Sequence, residues 1–150
     1  MNRNLAQKLI SEHLVDGTME VGTPIALKID QTLAQDATGT LVMLMLEAIG
    51  LDRIMSELSA QYVDHNLLQI DNLNADDHLF LESACRRFGV WYSRPGNGIS
   101  HVVHMQRFGK PGKSLLGSRL ASALRAYAVV SKELSDEKSI ITSRSDFHQA

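Results

Sequence analysis

Cysteine is almost absent from this sequence, since Cys85 is the only one among 150 residues. A single cysteine excludes an internal disulfide and a metal site built from several cysteines of this chain. Long apolar runs are missing too: the longest, Leu41–Leu46, is far shorter than the roughly 20 residues of a transmembrane helix. The N-terminal segment "MNRNLAQKLISEHL" lacks the apolar stretch of a signal peptide. These absences predict a cytoplasmic protein without a membrane span.

An excess of charge of one sign is also missing. The sequence has 15 Lys and Arg residues against 17 Asp and Glu residues, for a net charge of −2 at pH 7. Such a balance gives no electrostatic reason to expect nucleic acid or an anionic membrane as a partner. The basic residues are scattered and are not interleaved with aromatic ones, which argues against nucleic-acid binding. No feature indicates an obligate protein partner.

What the sequence does contain is an alternation of apolar and polar segments that is typical of one α/β domain. With 44% apolar and 21% charged residues, the chain can bury a core of its own. Helical and strand patterns alternate along it, which predicts a layered α/β fold. The predicted elements are a helix at 4–15, a strand at 24–30, a buried helix at 40–50, a strand within 57–66, a helix at 74–89 capped by Asn74, and strands at 90–93 and within 111–118. Residues 31–39 are predicted to be a polar connection, and 101–109 fit either a helix or a strand.

Polar side chains gather in three clusters where apolar elements end. The clusters are Asp30-Gln31 with Gln35-Asp36, then Asp64-His65-Asn66, then Gly96-Asn97-Gly98 leading into His101. Folds of the α/β class build their sites in the crevice beyond the carboxyl ends of strands. A carboxylate beside a histidine can fix the ring tautomer and make the ring a proton donor near neutral pH. Taken alone, one Asp-His pair is more often a solvated surface dipeptide.

Other motifs have simpler structural explanations. His101 and His104 could share a helix face and hold a metal, but one pair without further ligands is a weak signal. Residues 76–78 match the chemistry of a helix N-terminus, and Cys85 lies on the apolar face of that helix as a core residue would. No metal site is therefore predicted.

Taken in order, the clusters are much more specific than any one of them. The segments "LKIDQTLAQDATGTLVMLMLEAIGL", "YVDHN" and "NADDHLFLESACRRFGVWYSRPGNGISHVVHMQRFGKPGKSLLGS" closely resemble the N-terminal part of the aconitase family of iron–sulfur hydro-lyases. The resemblance covers residues 4–118 and is strongest to the bacterial aconitate hydratases. Isopropylmalate dehydratase large subunits and homoaconitases share the Asp-His-Asn motif but usually differ at "AQDAT". The resemblance implies the N-terminal portion of a three-layer α/β/α domain.

The resemblance also implies roles for particular residues. In this family a 4Fe–4S cluster binds citrate or isocitrate and eliminates water to give cis-aconitate, as in the tricarboxylic acid cycle. By resemblance, Gln35 donates a hydrogen bond to the tricarboxylate substrate. Asp64 and His65 match the pair that protonates the leaving hydroxyl group, and His101 matches a second active-site histidine that needs a carboxylate partner.

The match stops abruptly at Ser118, where the family continues into an Asp-Ser-His-Thr motif. The sequence instead continues "RLASALRAYAVVSKELSDEKSIITSRSDFHQA", which lacks that motif. The family's cluster cysteines, serine base and substrate-binding arginines lie further downstream. These departures predict an inactive fragment from a frameshifted or truncated gene, or a natural splice to a new tail, with no cluster in this chain. The expected division is an aconitase-like region at 1–118 and a divergent tail at 119–150, helical over about 119–134 and then disordered.

Two alternatives stay open at this point. The same scaffold could be a non-catalytic domain that binds a carboxylate or a partner, with the tail helix docked on the sheet. The second alternative is a fragment of an isopropylmalate or homoaconitate dehydratase.

Overall fold

A computed structural model of the chain describes residues 3–117. The described residues form four helices: α1 Leu5–His13, α2 Asp36–Ala48, α3 Leu73–Phe88 and α4 Ser100–Phe108. They also form six strands: β1 Leu14–Asp16, β2 Ala26–Leu27, β3 Gln31–Gln35, β4 Leu58–Tyr62, β5 Trp91–Ser93 and β6 Leu115–Gly117. The predicted tail helix at 119–134 and the rest of the predicted tail lie outside the described residues. Across residues 3–117, none of the helices combines the length and apolar character needed to cross a membrane.

The central sheet is parallel and has the strand order β5-β4-β3-β6. β3 lies in its middle, with Gln35 opposite Tyr62 of β4. Because all four strands run the same way, their carboxyl ends lie at one edge of the sheet, and the loops that follow β3, β4 and β5 start there. β1 and β2 form a separate antiparallel pair.

Helices cover both faces of this sheet. Successive strand residues point to opposite faces, so Tyr62 and Val63 mark the two sides. Val63 packs with α2 and α3 in the larger core, whose buried members are Val42, Met43, Leu46, Ile54, Val63, Leu81, Ala84, Cys85, Phe88 and Val90. Tyr62 packs with Leu33, Ala60 and Val103 of α4 in a smaller cluster. The predicted α/β class is therefore confirmed, and the helix–sheet–helix layering is present within residues 3–117.

The strand predicted at 24–30 is misplaced. Only Ala26–Leu27 of that segment is a strand, and it pairs with β1 rather than joining the central sheet. The predicted polar connection instead contains β3, in which Gln31, Thr32, Leu33 and Ala34 are all buried. Its polar side chains are buried at little cost because they have hydrogen-bond partners: Gln31 Nε2 donates to the Phe108 carbonyl, and the Thr32 hydroxyl donates to Ser59 over 2.8 Å.

Two predictions about helices also need correction. The helix at 40–50 was expected to be buried all round, but only one side of α2 is buried, and Leu41, Leu44 and Met45 on its other side are exposed. Asn74 does not cap α3, which begins one residue earlier at Leu73. The side-chain amide of Asn74 donates instead to the Leu68 carbonyl.

The ends of two helices follow ordinary capping preferences. Asn4 caps α1 with a full capping box in which Gln7 returns the hydrogen bond. Gly89 ends α3 in the left-handed conformation with φ of +73°, where a side chain would be strained. The segment at 101–109, which fitted a helix or a strand, is helix α4.

Candidate functional site

The loops after β3 and β4 meet at one buried carboxylate. Asp36 is the first residue of α2, directly after β3, and its side chain is 1% exposed. It accepts hydrogen bonds from the backbone N–H groups of Asp64, His65 and Asn66, which follow β4. Asp36, in the second half of the first predicted polar cluster, therefore contacts the second cluster directly, whereas Asp30 and Gln31 of the first cluster lie at the amino end of β3, away from this site.

Asp64 joins the second cluster to the third. One of its carboxylate oxygens, Oδ2, accepts the backbone N–H of Ser100 at the start of α4 over 2.7 Å. Its other oxygen, Oδ1, lies 2.8 Å from Nδ1 of His65. Burial opposes ionisation of Asp64, but the hydrogen bonds from Ser100 and His65 outweigh it and lower the Asp64 pKa. Asp64 is thus a carboxylate at neutral pH and holds two neighbouring loops together.

His65 is the exposed member of this group. Its side chain is 47% exposed, whereas the Asp64 side chain is 7% exposed. The bond to Asp64 uses Nδ1, so Nε2 is the ring nitrogen left for a ligand. This arrangement can orient a proton donor at the carboxyl edge of the sheet.

Gln35 and His101 border the same loops. Gln35 is the last residue of β3, and its Oε1 accepts the Ala37 backbone N–H over 2.7 Å as the N-cap of α2. His101 is exposed in the first turn of α4, where its Nδ1 lies 3.1 Å from the Ser100 hydroxyl. Each is one residue away from a residue of the hydrogen-bonded group, namely Asp36 and Ser100. The functional roles of Gln35, Asp64, His65 and His101 remain predictions.

The pairing of His101 with His104 on a metal, which the sequence signals only weakly, does not match the geometry. His104 is fully buried and bonds Tyr62 and Gln31, whereas His101 is exposed. The two rings therefore lie in different environments and do not form a common metal site.

A different trio, Asp36, Asp64 and His65, has ligand atoms within 4.8 Å of one another. Both oxygens of Asp36 already accept backbone N–H groups, and both oxygens of Asp64 are engaged with His65 or Ser100. These bonds account for the close approach of the three side chains without a cation. The trio is organised as a structural anchor rather than as a ligand set.

Sequence reasoning missed two members of the site. The sequence shows Asp36 only as part of a polar cluster, and no motif distinguishes Ser100. A signal for Asp36 did exist, because an acidic residue in the first turn of a helix is favoured by the helix dipole. Its bonds to residues 64–66 depend on the pairing of β3 with β4, which a single sequence does not display.

Comparisons with known proteins give a consistent result, although no family model matches the chain. The chain is 28% identical over 134 residues to the mitochondrial aconitate hydratase of Candida albicans, an alignment that covers 79% of this chain and 17% of that protein. It is 26% identical over 118 residues to 3-isopropylmalate dehydratase large subunit 2 of Archaeoglobus fulgidus, covering 79% of this chain and 28% of the relative. It is 27% identical over 134 residues to the mitochondrial homocitrate dehydratase of Saccharomyces cerevisiae, covering 76% and 17%.

The resemblance to the aconitase family is confirmed. The chain spans only 17% to 28% of the length of these aconitase-family relatives. The identities to the three kinds of dehydratase are almost equal, so the preference for aconitate hydratase stays a prediction. Two of the three relatives are named as mitochondrial, and the cytoplasmic location likewise stays a prediction.

Proposed function

We propose that this chain forms the part of an aconitase-type hydro-lyase site that donates a proton to the leaving hydroxyl group of a tricarboxylate. The observation that carries the proposal is the 2.8 Å contact between Asp64 Oδ1 and His65 Nδ1, with the His65 ring half exposed. Similarity to aconitate, isopropylmalate and homocitrate dehydratases supports the reaction class.

The chemistry follows from the two nitrogen atoms of the His65 ring, Nδ1 and Nε2. Hydroxide is a poor leaving group, so its departure needs a proton donor in the transition state. Asp64, as an ionised carboxylate, accepts a hydrogen bond from Nδ1–H and keeps the proton on that nitrogen. A protonated ring then has its transferable proton on Nε2, and the ring that remains is the neutral Nδ1–H tautomer which Asp64 stabilises.

Gln35 would serve the substrate's carboxylates. Its Oε1 is held by the Ala37 backbone N–H, so the donor Nε2 is the end of the amide that remains for a ligand. A donor of this kind suits an anionic substrate, whose carboxylates accept hydrogen bonds. His101, exposed in the first turn of α4, would be the second histidine of the site.

The full-length members of the family hold a 4Fe–4S cluster, and the residues of this chain can be tested against that requirement. A 4Fe–4S cluster supplies a Lewis acid to such a reaction and is held by several cysteine thiolates. The residues present do not fit it: Cys85 is the only cysteine of the sequence and is 1% exposed in the core between α2 and α3. Burial raises the pKa of Cys85 to about 12, which keeps the thiol protonated. We therefore assign no step of the reaction to a cluster held by these 150 residues.

Binding of a tricarboxylate tests the proposed site directly. We expect citrate, added to the full chain, to shift the side-chain NMR signals of His65 and Gln35, and we expect the Gln35 shift to be lost in His65→Ala. Sulfate at equal ionic strength is the control for nonspecific anion binding. Comparing citrate with isopropylmalate and homocitrate would identify the preferred substrate. Equal shifts with sulfate, or shifts confined to residues away from the strand ends, would contradict the site.

The inactivity of this chain is a second prediction. After anaerobic incubation with iron and sulfide, we expect neither cluster absorbance nor hydration of cis-aconitate above background, because a histidine acid alone contributes only about 10²–10⁴-fold to a rate. Stoichiometric iron with turnover that disappears in His65→Ala would contradict this expectation. It would mean that an assembled oligomer completes the site.

A further inference from the structure

Asp36 makes an unusual set of contacts for a residue that starts a helix. Its Oδ1 accepts the N–H groups of Asp64 over 3.2 Å and His65 over 3.0 Å. Its Oδ2 accepts the N–H of Asn66 over 2.6 Å and lies 3.3 Å from the N–H of His65. Three consecutive amides therefore converge on one carboxylate from a segment that is neither helix nor strand.

These bonds have a clear physical effect on the loop. Residues 64–66 lack the backbone bonding of regular structure, and an unpaired N–H in a partly buried position is unfavourable. Hydrogen bonds to an ionised acceptor are shorter and roughly twice as strong as those between neutral groups. A neutral amide at position 36 would offer one acceptor oxygen in place of two, and its NH₂ group would face N–H donors. The carboxylate thus specifies one backbone conformation for this loop.

Asp36 also acts on the ring of His65. Its Oδ1 lies 3.5 Å from Nδ1, which is already 2.8 Å from Asp64 Oδ1. Two carboxylates therefore face the same nitrogen, and both favour a proton on it. The opposite nitrogen, Nε2, is directed away from both acids.

We propose that Asp36 is a positioning residue for His65, because it fixes the backbone of residues 64–66 and thereby holds the ring in the Nδ1–H tautomer with Nε2 available to substrate. The inference rests on the proposed function for its catalytic meaning. The conformation of residues 64–66 and the tautomer of His65 can be measured without activity or a bound substrate.

The first test replaces Asp36 by asparagine in the full 150-residue chain. We expect the amides of Asp64, His65 and Asn66 to exchange with solvent about tenfold to a hundredfold faster than in the wild-type chain, because each loses a charge-assisted bond. Asp77→Asn, at an exposed position in α3, is the matched control and should leave these three rates unchanged. Unchanged exchange in Asp36→Asn would overturn the inference.

The second readout separates positioning from a general role in folding. Ring ¹⁵N shifts of neutral His65 report which nitrogen carries the proton, and a variant that is merely less stable keeps the wild-type tautomer in its folded fraction. We expect the Nδ1–H population of His65 to fall in Asp36→Asn, with the ring of His104 as an internal reference. A wild-type tautomer ratio in a folded Asp36→Asn variant would refute the role assigned to Asp36.

Two further outcomes stay interpretable. If Asp36→Asn does not fold, the wild-type chain still decides, since protection of the three loop amides is required by the inference and its absence would refute it. If loop and tautomer respond to Asp36→Asn as expected while citrate fails to shift His65, the proposed function fails and the positioning of His65 by Asp36 stands.

Discussion

Replacing Asp30 by alanine is expected to lower the free energy of unfolding by about 3–5 kcal/mol, the usual cost of removing one partner from a buried ion pair. Asp30 is 4% exposed at the amino end of β3. Its Oδ2 lies 2.7 Å from Nε2 of His13 and accepts the Ser114 backbone N–H over 3.1 Å. Lys113 approaches its Oδ1 to 3.5 Å. One carboxylate thus joins α1, β3 and the start of β6, and its loss leaves partly buried donors without an acceptor.

Equilibrium urea unfolding of the full chain measures this effect. Asp52→Ala, which removes an exposed carboxylate, is the control and should change stability by no more than about 0.5 kcal/mol. The Asp30 cluster lies at the amino ends of the strands, opposite the candidate site. Amide signals of residues 64–66 in the folded fraction of Asp30→Ala should therefore match the wild type. A loss of stability no larger than that of the control would contradict the assignment of Asp30 as an anchor.

The pH dependence of this anchor follows from two pKa shifts of opposite sign. Burial opposes ionisation of Asp30, but bonds from Ser114 and His13 and the charge of Lys113 outweigh it and lower its pKa from 3.8 to about 2. That stabilisation is present above pH 3.8, disappears as pH falls through about 2, and amounts to about 2 kcal/mol.

The hydrogen bonds from His13 to the Leu9 carbonyl and to Asp30 raise the His13 pKa above 6.5. The stabilisation from His13 is therefore complete below pH 6.5 and is lost as pH rises through the raised pKa. Both contributions are complete between pH 3.8 and pH 6.5, so the anchor stabilises the fold most at mildly acidic pH. The stability difference between wild type and His13→Ala should accordingly be larger at pH 5.5 than at pH 9.

The fold could be predicted where local signals and tertiary packing agree. The helix at 74–89 was found because its apolar spacing matches its buried face and Gly89 supplies the left-handed end. β3 was missed because a central strand buried on both faces shows no alternation, and its polar side chains find partners across the sheet. The bond between Thr32 and Ser59 spans 27 residues, so local patterns do not display it.

The candidate site could be predicted only in part, because some of its contacts also depend on how the strands pair. Polar clusters after strands are visible in sequence, and a parallel sheet brings such clusters to one edge. What sequence does not display is register: Gln35 pairs with Tyr62, and this pairing sets Asp36 against the backbone of residues 64–66. The anchoring carboxylate of the site follows from strand pairing rather than from any motif around Asp36.

The second large effect concerns a buried histidine that holds α4 on the sheet. His104 is fully buried, with Nε2 3.0 Å from Oε1 of Gln31 and Nδ1 2.9 Å from the Tyr62 hydroxyl. Since Oε1 of Gln31 can only accept, Nε2 carries the proton and Nδ1 accepts from the tyrosine. Trp91 and Phe108 pack their rings around this pair. The network connects β3, β4 and α4, the elements that lead into the candidate site.

His104→Ala is therefore expected to lower the free energy of unfolding by about 3–5 kcal/mol, because it leaves a cavity and two buried polar groups without partners. His101→Ala, on the exposed side of the same helix, is the matched control, with an expected loss of about 0.5 kcal/mol. Burial, aided by the charge of His101, lowers the pKa of His104 below 6.5, so protonation opposes folding and the contribution of the network declines as pH falls below that value. The stability gap between wild type and His104→Ala should thus be wider at pH 7.5 than at pH 5. Similar urea midpoints for the two variants would show that α4 is held by apolar packing alone. The hydrogen bond from the Ser100 backbone to Asp64 would then be independent of the buried histidine.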